Sequence, residues 1–274
     1  MAEHGILAER GLVRISGKDS HDLLQSLLTS DLDRLKDGPL YTGLLTPQGK
    51  VLFDLILWQS PLGLMAETAL SRVPDLIKRL TLYKLRADMV LADASDQFAI
   101  AVAFENAAGF SADPRHPDLP YRALVTKPTD LPTVDDAHRA ARIKLGVAEL
   151  EDFDIDGTFW LETGAREQGG VDFDKGCYVG QEVTARMKHK TELRKGLVQV
   201  EIEGDAPVGA EITGKQGLDG LSLAFGPELW WGANPAILFK YERKVGCGRG
   251  RGLERCRWRA DLGCCCRSCI GLWS

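Results

Sequence analysis

Six of the seven cysteines of this 274-residue chain, Cys247, Cys256, Cys264, Cys265, Cys266 and Cys269, fall within its last 28 residues, and Cys177 alone precedes them. A disulfide framework needs pairs, so the first 246 residues have to fold on a hydrophobic core. With 44% apolar residues there is enough to build one, and a disordered or collagen-like chain is excluded. Charge divides the same way. Residues 217 to 274 hold nine Lys/Arg against five Asp/Glu, while the remainder holds 25 against 34. An acidic body speaks against general nucleic-acid binding, and no direct DNA contact is expected.

The apolar run Val51 to Trp58 contains Asp54 and is far shorter than the roughly 20 residues that cross a bilayer. No membrane span is expected. Met1 to Gly5 shows neither a basic-then-apolar leader nor an Arg-rich transit pattern, which gives a cytoplasmic location as the expectation.

Along the first 215 residues the pattern is that of an α+β protein. Gly11 to Ser16 alternates like a strand, and Leu23, Leu24, Leu27 and Leu28 share one helical face. Tyr41 to Leu45 and Val51 to Trp58, separated by Thr46-Pro47-Gln48-Gly49, read as a hairpin. Leu64 to Thr68 follows as a strand. Leu76, Ile77, Leu80 and Tyr83 predict a helix from Val73 to Tyr83, with Pro74 in its first turn. Strands are expected at 89–91, 98–104 and 121–125, a loop at 106–120, and a helix opening at Asp135-Asp136 and ending at Gly146. This alternation suggests ferredoxin-like units. Leu197 to Ile202 and Val208 to Ile212 read as the first strands of a final β region.

One stretch carries chemistry. From Gly169 to Arg186, closely spaced glycines bracket the body's single thiol, and Lys175 stands two residues before it. A neighbouring cation favours the thiolate, the reactive form of cysteine. Taken by residue type alone, a small Cys in a tight turn explains the pattern as well.

The run Lys175-Gly176-Cys177-Tyr178-Val179-Gly180-Gln181-Glu182, continued through Arg186, resembles the signature of the YgfZ-type folate-binding proteins, relatives of the glycine-cleavage T-protein. Three further runs fit the same family: Gln25 to Asp31, Leu44 to Asp54, and Asp113-Pro114-Arg115. The resemblance covers residues 5 to 215. It implies a T-protein-like, multi-domain ring with a central folate-binding opening. It also implies a tetrahydrofolate-binding accessory role toward iron–sulfur enzymes, tRNA-modifying ones included, with client enzymes or assembly proteins as partners of a monomer. The division it suggests is a folate-binding region at 1–145, a signature segment at 146–195 and a C-terminal β region at 196–274.

Cys177 is the functional thiol in this reading. Arg10, His138, Lys175, Tyr178, Gln181, Glu182 and Arg186 are the expected cofactor contacts, Arg10 and His138 because they match two positions that carry aromatic folate contacts in some relatives. The T-protein places a carboxylate where this chain has Lys144, and a lysine accepts no hydrogen bond from a pterin edge. A [4Fe–4S] cluster takes about four thiolates, so one body thiol forms no stable metal site.

Two enzymatic alternatives stand beside the accessory role: an aminomethyltransferase, and a hydrolase pairing Cys177 with His189. Asp54 and Asp75 are carboxylates without an identifiable acid–base partner. The basic strip Arg186 to Lys190 with Arg194-Lys195 reads as a solvated strand or hairpin, with a folate polyglutamate tail or RNA phosphates as alternatives. Cys266 and Cys269 have zinc-like spacing, but three consecutive cysteines cannot converge on one tetrahedral ion without strain. Beyond Gly214 the chain becomes a Gly, Arg, Cys and Trp mixture without period. That is the composition of a GC-rich frame read out of register, so a frameshift from about residue 216 and an incomplete C-terminal β-barrel are expected.

Overall fold

The computed structural model describes residues 4–152, 155 and 157–189, together with four strands at 195–203, 236–242, 255–259 and 263–265. The body is α+β. Strand β1 (His4–Leu7) leads into β2 (Arg10–Ser16), helix α1 (Ser20–Leu27), and the hairpin of β3 (Leu40–Leu45) and β4 (Val51–Ser60). Then come β5 (Gly63–Ala69), α2 (Val73–Lys84), β6 (Val90–Asp93), β7 (Phe98–Ala103), β8 (Tyr121–Thr126) and α3 (Asp135–Lys144).

Two open antiparallel sheets result. One has the order β3-β4-β5-β2-β6 and the other β1-β7-β8. Strands β3 and β4 are almost wholly buried, as expected of apolar runs covered on both faces. Helix α2 lays Val73, Leu76 and Leu80 onto the larger sheet. Helix α1 contributes Leu24 and Leu27, and its N-cap Asp19 accepts the Asp88 backbone N–H at 2.7 Å, which ties the α2–β6 turn to the start of α1.

The hairpin, the long helix and the loop at 106–120 form as the periodicity predicts. Strand β1 carries too few residues to show a period and was not expected. The basic strip is corrected: Arg186, Lys188 and His189 lie on helix α4 (Gln181–His189), not on a strand or hairpin. Its start is fixed by Gly180 at φ +85°, whose carbonyl accepts from the Thr184 hydroxyl. A Cβ at Gly180 would come within 2.7 Å of the Thr46 carbonyl oxygen, so the β3–β4 turn packs directly on this helix start.

The strand expected from Leu197 is β9 (Lys195–Glu203), which pairs antiparallel with β10 (Ala236–Glu242) and parallel with β11 (Arg255–Arg259), itself paired with β12 (Gly263–Cys265). Val208 to Ile212, Arg194 and Lys190 lie outside the described residues. Among the described residues, no helix is long and apolar enough to cross a membrane.

Candidate functional site

The signature segment is zipped onto the C-terminal end of α1. Thr29 is the hub. Its hydroxyl donates to the Gly170 carbonyl at 2.6 Å, and its own carbonyl accepts the Asp172 N–H at 3.0 Å. The Trp160 indole donates to the same Gly170 oxygen at 2.8 Å. The Asp172 carboxylate accepts the Asp31 N–H at 2.7 Å and the Arg34 guanidinium at 2.9 Å. The Lys175 ammonium then donates to three carbonyls, those of Gln25 (2.8 Å), Leu28 (2.7 Å) and Ser30 (3.0 Å).

Those of Gln25 and Leu28 are carbonyls that the end of α1 leaves without intrahelical partners, and a cation there also meets the negative end of the helix dipole. Half-burial pulls the ammonium of Lys175 down to about 8, against the opposing pull of Asp31 and Asp172. Its Nζ stands 5.4 Å from the centre of the Tyr178 ring. The consequence for Cys177 is positional. Lys175 and buried Tyr178 anchor the turn on both sides, and the thiol stands exposed at its apex.

Three of the runs that resemble the family therefore meet in one place: Gln25 to Asp31 supplies the carbonyl cradle, the hairpin turn packs on Gly180, and the signature carries the thiol. Tyr178 packs into the core rather than facing a cavity. Glu182 and Arg186 pair with each other at 2.6 Å on the exposed face of α4. Gln181 is half-buried at the first turn of that helix. Cys177 lies four residues before α4 and His189 at the far end of that helix, which is itself roughly 12 Å long.

The fourth run belongs to a buried ion network below. Arg115 donates to both Asp113 oxygens at 2.9 and 2.8 Å and to Glu149 at 2.7 Å. Arg122, fully buried, bridges Asp113 at 2.7 Å and Glu67 at 2.5 Å. Arg10 reaches Glu67 at 2.9 Å and Glu149 at 3.5 Å, and Arg142 reaches Asp152 at 2.5 Å. Burial pushes the Glu149 carboxyl upward, but Arg10, Arg142 and Arg115 outweigh it and hold the group well below the carboxylate range. Burial raises Asp54, whose Oδ1 has no hydrogen-bond partner, and raises Tyr41, whose hydroxyl has none either. Sequence reasoning missed Glu149, Arg142 and Asp152, and with them the strand residues Arg122 and Glu67. The signal of the last two was a charge inside an otherwise apolar strand pattern, Glu67 in β5 and Arg122 in β8.

Arg10 and His138, the two folate positions implied by resemblance, do come together, in the wall of one cavity that Arg142 and Glu149 also line. That cavity holds about 20 Å³, which is room for a single water, whereas cofactor pockets run from about 300 Å³ upward. Arg10 is committed to two carboxylates, and burial pushes His138 down to about 3, a neutral ring with Nε2 unpartnered. A pterin does not fit at these residues.

No family model matches the chain. The mitochondrial iron–sulfur cluster assembly factor IBA57 homologue of Mycosarcoma maydis is 32% identical over 219 residues, which covers 69% of this chain and 54% of that protein. The Neurospora crassa homologue is 29% identical over 271 residues, covering 85% and 61%. The Mus musculus mitochondrial factor is 28% identical over 245 residues, covering 75% and 68%. The chain thus spans little more than half the length of the first two relatives. Among solved structures, the glycine cleavage system aminomethyltransferase T from Bartonella henselae superposes with a TM-score of 0.61 at 12% identity, covering 87% of this chain and 78% of that one. This likeness shows the fold. The cytoplasmic expectation is corrected, because these relatives are mitochondrial proteins. It rested on the absence of a leader pattern, and an absence does not place a protein in a compartment.

Proposed function

We propose, from the membership in the YgfZ-type family that its relatives show, that the chain is a mitochondrial accessory factor in iron–sulfur cluster assembly. The observation that carries the reading is the convergence of three family-like runs on an exposed thiol whose flanks are anchored by Lys175 and Tyr178. A single thiolate can supply one of the roughly four ligands of a [4Fe–4S] cluster, so the remaining ligands come from a donor or recipient protein. The turn then serves as a contact during transfer or repair, and the cluster is cargo. Client enzymes, tRNA-modifying ones among them, fall within this proposal. It extends to the ring-like, three-part arrangement with ferredoxin-like units, in keeping with the likeness to the aminomethyltransferase.

The test is complementation. Cells depleted of their own mitochondrial assembly factor receive the wild-type chain or Cys177→Ser, and the activity of a [4Fe–4S] enzyme is measured at matched protein levels. Rescue by wild type and its loss in Cys177→Ser are expected. Equal rescue by both removes the thiol from the mechanism, and no rescue by wild type removes the function.

A further inference from the structure

A cavity of about 260 Å³ lies apart from this site, between α2 and the start of β4. Its floor is apolar, formed by Leu52 and Phe53, each at most 5% exposed, with Leu82 at one end. Its lining also brings three cations, Arg72, Lys78 and Arg79, against one carboxylate among the described residues, Asp75. Asp75, Arg79 and Leu82 recur at helical spacing, so one face of α2 presents the charge and the apolar end in series.

Arg72 is the informative residue. Its guanidinium lies over the Phe53 ring, 5.2 Å from the centroid, and one terminal nitrogen meets the Asp75 carboxylate at 2.8 Å. Its Nε–H is buried and has no acceptor. A buried donor left unmade is unfavourable, and a guanidinium edge is shaped for a planar or tetrahedral anion. The excess of positive charge over an apolar floor describes the complementary molecule.

We propose that this cavity binds a small organic anion with an apolar body, its carboxylate or phosphate meeting Arg72 and Arg79 and its hydrocarbon part lying on Phe53 and Leu82. The volume sits at the small end of ligand pockets. The proposal is independent of the iron–sulfur reading, since it uses none of the residues around Cys177.

Titration of the full chain with octanoate, octyl phosphate and the neutral octanol, followed by calorimetry, tests it. At least one octyl anion should bind saturably and at least tenfold more tightly than octanol. Arg79→Glu, at an exposed position, should weaken that anion at least tenfold while the thermal midpoint stays in place. A preference for octyl phosphate assigns a phosphoryl ligand, and one for octanoate a carboxylate. Octanol binding as tightly as the anions, an unchanged affinity in Arg79→Glu, or no saturable binding of either anion overturns the proposal.

Discussion

The Lys175 ammonium stands 2.7 Å from the carbonyl oxygen of Leu28, the C-cap residue of α1, although 147 positions separate the two in the chain. A lysine two residues before a thiol invites the reading of an activating cation. Its three carbonyl partners make it an anchor instead. Lys175→Met should lower the unfolding free energy by roughly 2–3 kcal/mol, since it strips a charged donor from three carbonyls. Cys177→Ser, at an exposed position, should stay within about 0.5 kcal/mol. Urea denaturation of both variants checks the contrast, and equal effects would show that Lys175 anchors nothing.

The buried network sets a second expectation. Arg122→Met leaves Asp113 without one of its two arginines and Glu67 without its shortest contact. Removal of one partner from a buried pair typically destabilises by about 3–5 kcal/mol, because the remaining charge is uncompensated. Combining Arg122→Met with Glu67→Gln should recover part of that loss, which a double-mutant cycle reads as coupling.

His138 makes acid sensitivity specific. Its folded-state value of about 3 lies below the ordinary 6.5, so between those limits the unfolded chain takes up a proton that the folded one refuses. Stability is therefore lost as pH falls from 6.5 toward 3, at up to about 1.4 kcal/mol per pH unit. Asp113 and Glu149, both held below the carboxylate range, add their losses below about pH 4. His138→Met should flatten the difference between pH 6.5 and 4.5 relative to wild type. Parallel slopes for the two proteins in that window would show that His138 titrates normally.

Gly170 tests the packing under the signature. A Cβ there would fall 2.7 Å from the Tyr41 ring and 3.0 Å from the Trp160 ring, two aromatic groups packed 5.4 Å apart. Gly170→Ala should cost about 1–3 kcal/mol by overpacking. A Tyr41→Leu background should relieve it, and an equal penalty in both backgrounds would place the strain elsewhere.

What the sequence made legible followed from local pattern. The β3–β4 hairpin and α2 carry strong periods and clear turn residues, so they read directly. The signature was legible by likeness, but its mechanics were not: nothing in Lys175 or Gln25 announces that one caps the helix containing the other. Strand β1 was too short to show alternation, and the strip around Arg186 lacked an apolar period because α4 buries little beyond Thr184. Charges such as Glu67 and Arg122 looked like strand irregularities, because pairing across 55 residues leaves no mark on local composition.

The distance along the chain between Lys175 and its cradle also sets an order of events during synthesis. Residues 20 to 30 leave the ribosome long before residue 175 does, so the end of α1 has to wait for about 145 further residues before its carbonyls are capped. Contacts of such separation form late, after local elements exist. The first half of this protein is thus completed by its second, and a nascent chain arrested anywhere short of the signature carries an unfinished fold into the hands of chaperones and proteases.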